Sequence, residues 1–265
     1  INQANKTNNT ISIFTSEQGY SFPFGKWTCY DLGLKTAFIV KWPEKIKPNT
    51  RNKATTQYVD IVPTLLDAVG EDPTKINVGI MDSKGKGGFD GKSFYKALMG
   101  ETETHREFTF GVHTTRGVIN GSESYPIRSV RSDRYKYIQN LSHEKLFYNV
   151  VTAKDAGRPG YLLYESWLEN AKNEEELSWV KHYKKRPFEE FYDLKNDPYE
   201  KNNLAQDPKY FDIKENLKTQ LKSWMSQQGD LGVHTEMKAV TRQHRKGKWL
   251  SYEEKIKSKG QKQIN

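Results

Sequence analysis

Apolar residues near the start of the chain form short runs separated by polar and glycine-rich stretches. Residues 10–15 read T-I-S-I-F-T, and residues 35–42 contain the run A-F-I-V before Pro43. Short runs rich in β-branched and aromatic residues predict strands. Residues 19–33, between these strands, are rich in Gly, Phe and Pro and predict a long loop. A long loop that leaves a buried strand is a frequent place for chemistry.

The next block shows helical spacing. Its apolar positions are Val59, Val62, Leu65, Leu66 and Val69. Pro63 suits the first turn of such a helix, and Gly70 suits the position after its last turn. Residues 79–91 are rich in Gly and Lys, and this composition predicts an exposed loop between the helix and the elements that follow.

The rest of the chain predicts short strands and then helices. Strands are expected at residues 108–113, 127–131, 135–141 and 190–194, with a hairpin turn at residues 132–134. Residues 165–183 predict a polar helix. A last helix carries an apolar stripe at Ile213, Leu217, Leu221 and Trp224.

This order of elements predicts an α/β protein. The first strands and helix would form the edge of a large mixed sheet, followed by a small antiparallel sheet packed with a C-terminal helix. The expected divisions are residues 1–105 for the α/β part, residues 106–230 for the small-sheet subdomain and residues 231–265 for a basic surface tail. We find no internal repeat.

Composition agrees with a folded protein that has a modest core. Apolar residues make up 35% of the 265 residues and mean hydropathy is −0.88, while aromatic residues reach 12%. Tyr and Trp cover apolar area and keep a polar tip in water, so disorder is not expected. No apolar stretch approaches the length of a membrane span. The first residue is Ile1 rather than Met, which favours a chain that begins partway through a longer protein.

The formal net charge of +9 favours an anionic partner, with a solvated basic surface as the alternative. Nucleic acid, an acidic membrane surface and a sulfated sugar all fit this charge. No nucleic-acid-binding motif occurs, so nucleic acid is not expected. Cys29 is the only cysteine, which excludes an internal disulfide, and a small core or loop residue is its favoured role over that of a nucleophile.

A few polar residues lie where a site is expected. Glu17 and Gln18 follow the first strand, and their oxygens suit a hard cation such as calcium, although a polar turn is the simpler interpretation. Lys26 could bind an oxyanion or be a surface lysine. His113 and Arg116 could hold a sulfate or carboxylate on one loop, or belong to an ordinary turn.

Arg128 and Arg131 are three residues apart on a predicted strand, so their side chains should point to opposite faces. At most one of them, with Arg128 as the candidate, is expected to face any given site. Composition and spacing alone lead no further than an α/β domain with a polar loop after a strand.

Several short motifs follow one another between residues 9 and 228. They are Phe14-Thr15-Ser16-Glu17-Gln18-Gly19, Gly25-Lys26 with Tyr30, Phe38-Ile39-Val40-Lys41-Trp42-Pro43, Asp60-Ile61-Val62-Pro63-Thr64, Phe89-Asp90-Gly91-Lys92-Ser93-Phe94, Phe191-Tyr192-Asp193-Leu194 and Asn196-Asp197-Pro198-Tyr199-Glu200 with Asn203-Leu204. In this order they resemble the C-terminal part of a type I, formylglycine-dependent sulfatase with an alkaline-phosphatase-like fold. Residues 124–130 and Asn140-Leu141 are most similar to the heparan N-sulfatase (N-sulfoglucosamine sulfohydrolase) branch.

The resemblance implies hydrolysis of sulfate esters or sulfamates, on sulfated glycans such as heparan sulfate. In this family a formylglycine, made from Cys or Ser in a C-x-P-x-R motif, forms the hydrate that attacks sulfur. Calcium and basic side chains stabilise the transferring sulfate. Glu17 and Gln18 match part of the calcium site, Lys26 matches the basic residue that contacts sulfate, and His113, Arg116 and Arg128 are further substrate candidates. A periplasmic, extracellular or lysosomal location is implied.

The chain departs from the family pattern in two ways. It lacks the C-x-P-x-R motif and the two N-terminal metal acids, so the N-terminal half of the same protein is an expected partner and this chain alone is expected to be inactive. Glu17 also stands where the family has Asp, which moves the carboxylate by over an ångström, roughly one C–C bond. The alternative function is a non-catalytic module that binds sulfated glycans.

Overall fold

The computed structural model describes residues 3, 6–118, 120–154, 159–242 and 250–262. The strands are β1 (Ser12–Thr15), β2 (Phe38–Lys41), β3 (Thr109–His113), β4 (Ile127–Arg131), β5 (Tyr135–Asn140) and β6 (Glu189–Asp193). The helices are α1 (Asp31–Leu34), α2 (Ile61–Ala68), α3 (Tyr95–Leu98), α4 (Pro159–Asn170), α5 (Glu174–His182), α6 (Phe211–Gln227), α7 (Val233–Met237) and α8 (Tyr252–Lys262).

The chain divides into two units. The first holds the residues up to Glu17, Thr36–Thr109 and Ser226–Gly229, and the second holds Gln18–Lys35, Phe110–Met225 and the residues from Asp230 onward. The long loop after β1 therefore folds with the small-sheet unit, whereas the sequence-based division at residue 105 assigned it to the α/β part. No helix among the described residues has both the length and the apolar character needed to cross a membrane.

In the first unit, β1 and β2 pair antiparallel, and Phe14 lies opposite Ile39. Helix α2 begins after a short 3-10 turn that ends at Asp60. The buried Asp60 carboxylate accepts hydrogen bonds from the backbone N–H groups of Gln57 and Lys92, at 2.9 and 2.8 Å.

Asp60, the first residue of the D-x-x-P-T motif, also contacts a later segment of this unit. Its carboxylate pairs with Arg106 and lies 3.3 Å from the Nε2 of His105. Burial raises the pKa of Asp60, but the hydrogen bonds from Arg106, His105 and the two backbone groups outweigh burial, so this pKa is lowered. Gly91 passes so close to the backbone of Val59 that a Cβ would meet the Val59 oxygen. One buried carboxylate thus ties three stretches of this unit together.

The second unit is built on a four-stranded sheet in the order β3-β4-β5-β6. Strands β4 and β5 pair antiparallel, as do β5 and β6, so the predicted hairpin at residues 132–134 is confirmed. Helix α6 buries Leu217 and Leu221, and the ring of Trp224 stacks on Phe110 at 4.8 Å. The predicted antiparallel sheet packed by an amphipathic helix is therefore confirmed.

Two regions of the second unit differ from the sequence-based expectation. The predicted helix at residues 165–183 is two helices, α4 and α5, because Asn173 adopts an extended conformation and its side chain accepts the N–H of Glu176 as an N-cap. Residues 250–262, predicted as surface tail, include helix α8, whose Tyr252 ring lies 4.7 Å from that of Tyr148. Residues 243–249 and 263–265 of the predicted tail lie outside the described residues.

Candidate active site

The loop that carries Lys26 is a closely packed backbone turn within the second unit. The Lys26 N–H donates to the Tyr20 carbonyl at 2.8 Å. A Cβ at Gly19, which has φ +58°, would lie 2.8 Å from the Lys26 nitrogen, and one at Gly33 would lie 2.5 Å from the Gly25 oxygen. These close approaches require glycine, because any side chain would push the backbone segments apart. The loop therefore holds the Lys26 backbone in one place.

Three predicted site residues follow β1 along the chain. Glu17 is exposed and is the last residue of its segment in the first unit. Gln18 is exposed and begins the second unit, and Lys26 is partly exposed in the same loop as Gln18. A carboxylate and an amide oxygen are suitable calcium ligands in type, but calcium takes six to eight oxygens. Two oxygen ligands cannot complete such a site, so the role of Glu17 and Gln18 as calcium ligands stays a prediction.

The described residues contain no cluster of three or more His, Cys, Asp or Glu side chains placed to hold a metal ion. This finding leaves the motif match of Glu17 and Gln18 as a prediction, because the matching family pair supplies only part of a ligand set.

A buried carboxylate on β6 fixes the aromatic part of the same loop. Glu190 accepts hydrogen bonds from the hydroxyl groups of Tyr30 and Tyr192, at 2.7 and 2.6 Å. Both tyrosines donate to Oε2 of Glu190, and the Nε2 of His182 lies 3.1 Å from the same oxygen. The side-chain amide of Asn140 donates to Oε1 of Glu190 at 2.6 Å. Burial raises the pKa of Glu190, but His182 and Arg186 lower it more, to about 2. Glu190 is thus an ionised hub between the loop and the sheet.

A second buried group of charges lies at the end of the loop. Lys136 on β5 is fully buried, and its ammonium donates to the Cys29 carbonyl and to the Asp31 carboxylate. Its Nζ also lies 3.1 Å from Oε1 of Glu200, although that oxygen accepts no well-aligned hydrogen bond. The other Glu200 oxygen accepts the backbone N–H of Asp31 at 2.6 Å. Arg131 approaches Asp31 from β4 at 3.3 Å.

The two carboxylates of this group titrate in opposite directions. Burial raises the pKa of Asp31, but Lys136, Arg131 and Lys35 outweigh burial, so this pKa is lowered. Burial dominates for Glu200 and raises its pKa to about 7, against the opposing effect of Lys136. Glu200 therefore takes up a proton in the folded protein at a pH where an exposed glutamate stays ionised.

We expect Glu200→Gln to change how stability depends on pH. Because the folded pKa of about 7 lies above the ordinary value of 4.5, the Glu200 contribution is fully present below pH 4.5 and is lost as pH rises through 7. The unfolding free energy of the wild type minus that of Glu200→Gln should therefore fall across this range. Urea unfolding of both proteins at several pH values measures the difference, and a pH-independent difference would contradict the assignment.

His113 is the last residue of β3 in the second unit, and the Nε2 atom of its ring is shielded from solvent. Its ring lies 5.8 Å from the Phe147 ring, and its Nε2 is buried with no hydrogen-bond partner among the described residues. Burial, with Arg186 and Arg128 nearby, lowers the pKa of His113 to about 3. The imidazole is therefore neutral at physiological pH, and its contact with substrate remains a prediction.

Arg116 lies in a turn that α7 holds in place. The Glu236 carboxylate, almost fully buried, accepts the backbone N–H groups of Thr115 and Arg116 at 2.7 and 2.9 Å. The Arg116 guanidinium forms an ion pair of 3.2 Å with the exposed Glu123. A partly exposed guanidinium with a solvent-exposed partner can exchange that partner for an anion, so Arg116 keeps its role as a substrate candidate.

Arg128 and Cys29 are both buried. The Arg128 guanidinium pairs with Asp230 through two nitrogens and donates to the His113 carbonyl at 3.1 Å. These bonds give Arg128 a structural role, and its contact with substrate stays a prediction.

Burial raises the pKa of Cys29 to about 11, and its sulfur lies in the core. A protonated, enclosed thiol agrees with the core role expected for Cys29.

Four of the charged residues that build this site were not named as site residues in the sequence analysis. They are Lys136, Glu190, Glu200 and Glu236. Glu200 is the last residue of the Asn196–Glu200 motif and Glu190 directly precedes the Phe191–Leu194 motif, so these two motifs were the available signal. Lys136 and Glu236 lie in no such motif.

The fold class follows from these elements and from solved structures. The chain has the fold of the C-terminal part of alkaline-phosphatase-like sulfatases, which confirms the expected fold class. A protein solved in complex with its substrate, D-glucosamine-2-N,6-O-disulfate, matches with a TM-score of 0.56 and 19% identity. The match covers 88% of this chain and 37% of that protein.

Sequence comparison identifies the family. Residues 17–156 match the model of the N-sulphoglucosamine sulphohydrolase C-terminal family, and the chain belongs to this family. It is 35% identical over 225 residues to an ulvan-active sulfatase of Formosa agariphila, which covers 85% of this chain and 39% of the relative. It is 30% identical over 237 residues to the human N-sulphoglucosamine sulphohydrolase, covering 84% of this chain and 43% of the relative. The chain thus spans less than half the length of these relatives.

Proposed function

We propose that this chain is part of a sulfatase that hydrolyses sulfate esters or N-sulfates of glycans, and that Lys26 contacts the sulfate. The observation that carries the proposal is the closely packed loop 18–35, which fixes Lys26 within the segment matched by the sulfatase family. An ammonium group offers hydrogen-bond donors and positive charge to a tetrahedral oxyanion. Such a preorganised donor is most effective where water is excluded.

Glu17 and Gln18 would hold calcium through their side-chain oxygens in this proposal. Calcium, when bound, supplies positive charge that stabilises the transferring sulfate. The remaining calcium ligands and the formylglycine would come from the N-terminal half of the same protein, because the C-x-P-x-R motif does not occur in this chain. Arg116, His113 and Arg128 remain candidates for contacts with the rest of the substrate.

A sulfated carbohydrate is the substrate class that the loop surface supports. The rings of Tyr20 and Phe22 are exposed, and their centroids lie 5.4 Å apart on the same loop as Lys26. Exposed aromatic side chains beside a basic residue offer an apolar face and a charge, and a sulfated sugar has both an apolar ring face and an anionic group. Among solved relatives in fold, one binds a disulfated glucosamine. A periplasmic, extracellular or lysosomal location belongs to the same proposal.

The N-terminal half of the protein is the proposed partner of the first unit. In the described residues, β1 and β2 form a sheet of two strands, and the cross-strand pair Phe14 and Ile39 is 61% and 60% exposed. Val62 and Val69 on or next to α2 are exposed as well. An isolated pair of strands is only marginally stable in water, so further strands and helices are expected to cover these residues.

We predict that the 265-residue chain alone does not hydrolyse sulfate esters or sulfamates. It has no formylglycine motif and supplies only part of a calcium site. The test is an assay with an aryl sulfate and with N-sulfoglucosamine in the presence of calcium, with the Glu17→Ala variant as the matched control. Turnover above that of Glu17→Ala would show that the chain is active alone, whereas addition of the N-terminal half should generate activity that depends on Glu17.

A further inference from the structure

The buried ammonium of Lys136 has more partners on the Lys26 loop than in its own sheet. Its side chain is fully buried. It bonds to the Cys29 carbonyl at 3.1 Å and to the Asp31 carboxylate, both in the segment Gln18–Lys35, and it reaches Glu200 beyond β6. The ammonium therefore donates two hydrogen bonds, both to the loop, and its third close contact, 3.1 Å from Oε1 of Glu200, is an ion pair. Burying such a charge is costly, and an apolar residue of similar volume would often be as stable.

An apolar residue at position 136 could not donate hydrogen bonds to the loop backbone. Lys136 binds the Cys29 carbonyl, and the Glu200 carboxylate accepts the Asp31 N–H at 2.6 Å, so two neighbouring peptide groups are held by side chains from elsewhere in the unit. Glu200 itself has a φ of 54°, a conformation uncommon for residues other than glycine. Backbone strain of this kind persists where the surrounding structure holds a residue in place, often at functional sites, and Glu200 is the residue that accepts the Asp31 N–H.

The hold on residues 29–31 reaches Lys26 through the packed loop. The Thr28 hydroxyl donates to the Gly25 carbonyl at 2.7 Å, next to Lys26 in the chain. Gly33 approaches Gly25 so closely that a Cβ would lie 2.5 Å from its oxygen. A shift of residues 29–31 would therefore displace residues 25 and 26, because the intervening backbone has no room to absorb the movement.

We propose that Lys136 and Glu200 are positioning residues, which hold the segment Gln18–Lys35 by its Cys29 and Asp31 peptide groups and so fix Lys26 for sulfate binding. This inference rests on the proposed role of Lys26. In this proposal, Lys136 and Glu200 do not contact the sulfate themselves. They affect the reaction only by fixing the loop that carries Lys26.

The first test measures the loop itself and needs no activity. Hydrogen–deuterium exchange of the 265-residue chain should show exchange over residues 19–35 about tenfold faster in Lys136→Met and in Glu200→Ala than in the wild type, while β4 and β5 keep their protection. The matched control is Glu189→Ala, which removes a carboxylate on β6 whose partners Lys218, Lys214 and Tyr137 all lie outside the segment Gln18–Lys35. Should Lys136→Met fail to fold, Glu200→Ala carries the test, because it leaves Lys136 paired with Asp31.

The second test separates positioning from a general structural role by a double-mutant cycle in the complete enzyme. Glu200→Ala should lower kcat/KM about tenfold in the wild type, mostly through kcat, and less than about twofold in the Lys26→Ala background. Glu200→Gln, which keeps an acceptor for the Asp31 N–H, should recover part of the loss. Unchanged exchange over residues 19–35, equal loss of protection throughout the sheet, or the same fold loss in both backgrounds would overturn the proposal. A wild-type enzyme without sulfatase activity would overturn the proposed function and leave the exchange result to decide how the loop is held.

Discussion

Replacement of Glu190 with alanine is expected to lower the free energy of unfolding by about 3–5 kcal/mol, the cost of breaking a buried charge network from one side. The Glu190 carboxylate is fully buried and accepts hydrogen bonds from Tyr30, Tyr192 and Asn140, with His182 within 3.1 Å. Alanine would leave these donors enclosed without an acceptor. Each buried polar group left unsatisfied costs about 1–3 kcal/mol, which makes this the largest stability effect that we expect from one side chain in the second unit.

Chemical unfolding followed by tryptophan fluorescence and circular dichroism measures this effect. Glu190→Gln should lose less, since the amide keeps an acceptor oxygen and removes only the charge. Glu189→Ala on the same strand is the matched control. It removes the ion pair with the partly exposed Lys218 and one hydrogen bond, from the Tyr137 hydroxyl, so it should cost less than Glu190→Ala, about 1–3 kcal/mol. A Glu190→Ala protein within about 1 kcal/mol of the wild type would show that the network does not stabilise the fold.

The same network gives a pH signature. The folded pKa of Glu190, about 2, is depressed from the ordinary 4.5, so its contribution is present above pH 4.5 and is lost as pH falls towards 2. The stability difference between the wild type and Glu190→Ala should shrink over that range. Glu200 has the opposite sign, because its raised pKa makes its contribution decline as pH rises. The two carboxylates can thus be told apart by the direction in which each difference changes.

The regular elements were the predictable part of this fold. The strands β4 and β5 and the stripe of Leu217 and Leu221 on α6 depend on local sequence patterns, and the structure places them as expected. The break between α4 and α5 was missed because both sides of Asn173 are helix formers, and the N-cap at that residue gives only a weak local signal.

The charged interior could not be predicted from pattern alone. Lys136 lies in the sequence Tyr-Lys-Tyr, where alternation indicates a half-exposed strand with the lysine in solvent. Its burial depends on Asp31 and Glu200, which are 105 and about 64 residues away along the chain, and no periodicity connects such positions. The assignment of the loop Gln18–Lys35 to the second unit was missed for the same reason, since its partners, among them Arg131, Lys136, Glu190 and Glu200, lie about 100 or more residues further along the chain.

The candidate site shows the same division. Motif order located Glu17, Gln18 and Lys26, whereas the surroundings of His113 and Arg128 required coordinates. In the sequence, His113 and Arg128 were substrate candidates on predicted strands, and nothing there indicated that Arg128 pairs with Asp230, a residue beyond α6. The residues that fix the loop come from distant parts of the chain, whereas the residues predicted to touch a ligand lie within short motifs.

In the complete enzyme, Lys26→Ala is expected to lower kcat/KM by about tenfold to a thousandfold, the range seen when one preorganised donor to a developing charge is removed. The loop backbone should stay in place, because the Lys26 N–H bond to Tyr20 and the close approach of Gly19 do not involve its side chain. The loss should therefore appear in kcat as well as KM, with little change in the free energy of unfolding.

Two further variants separate the charge of Lys26 from its geometry. Lys26→Arg keeps the positive charge but replaces a compact ammonium with a planar guanidinium, so partial activity is expected. Lys35→Ala is the matched control on the same segment: its side chain is 73% exposed and lies 3.5 Å from Asp31, and such a surface pair contributes little. Steady-state kinetics on an aryl sulfate and on a sulfated sugar would decide between the two roles of Lys26. If Lys26→Ala retains wild-type kcat/KM on both substrates, as Lys35→Ala should, then Lys26 is a surface lysine and the sulfate must be held by other cations, with Arg116 the next residue to test.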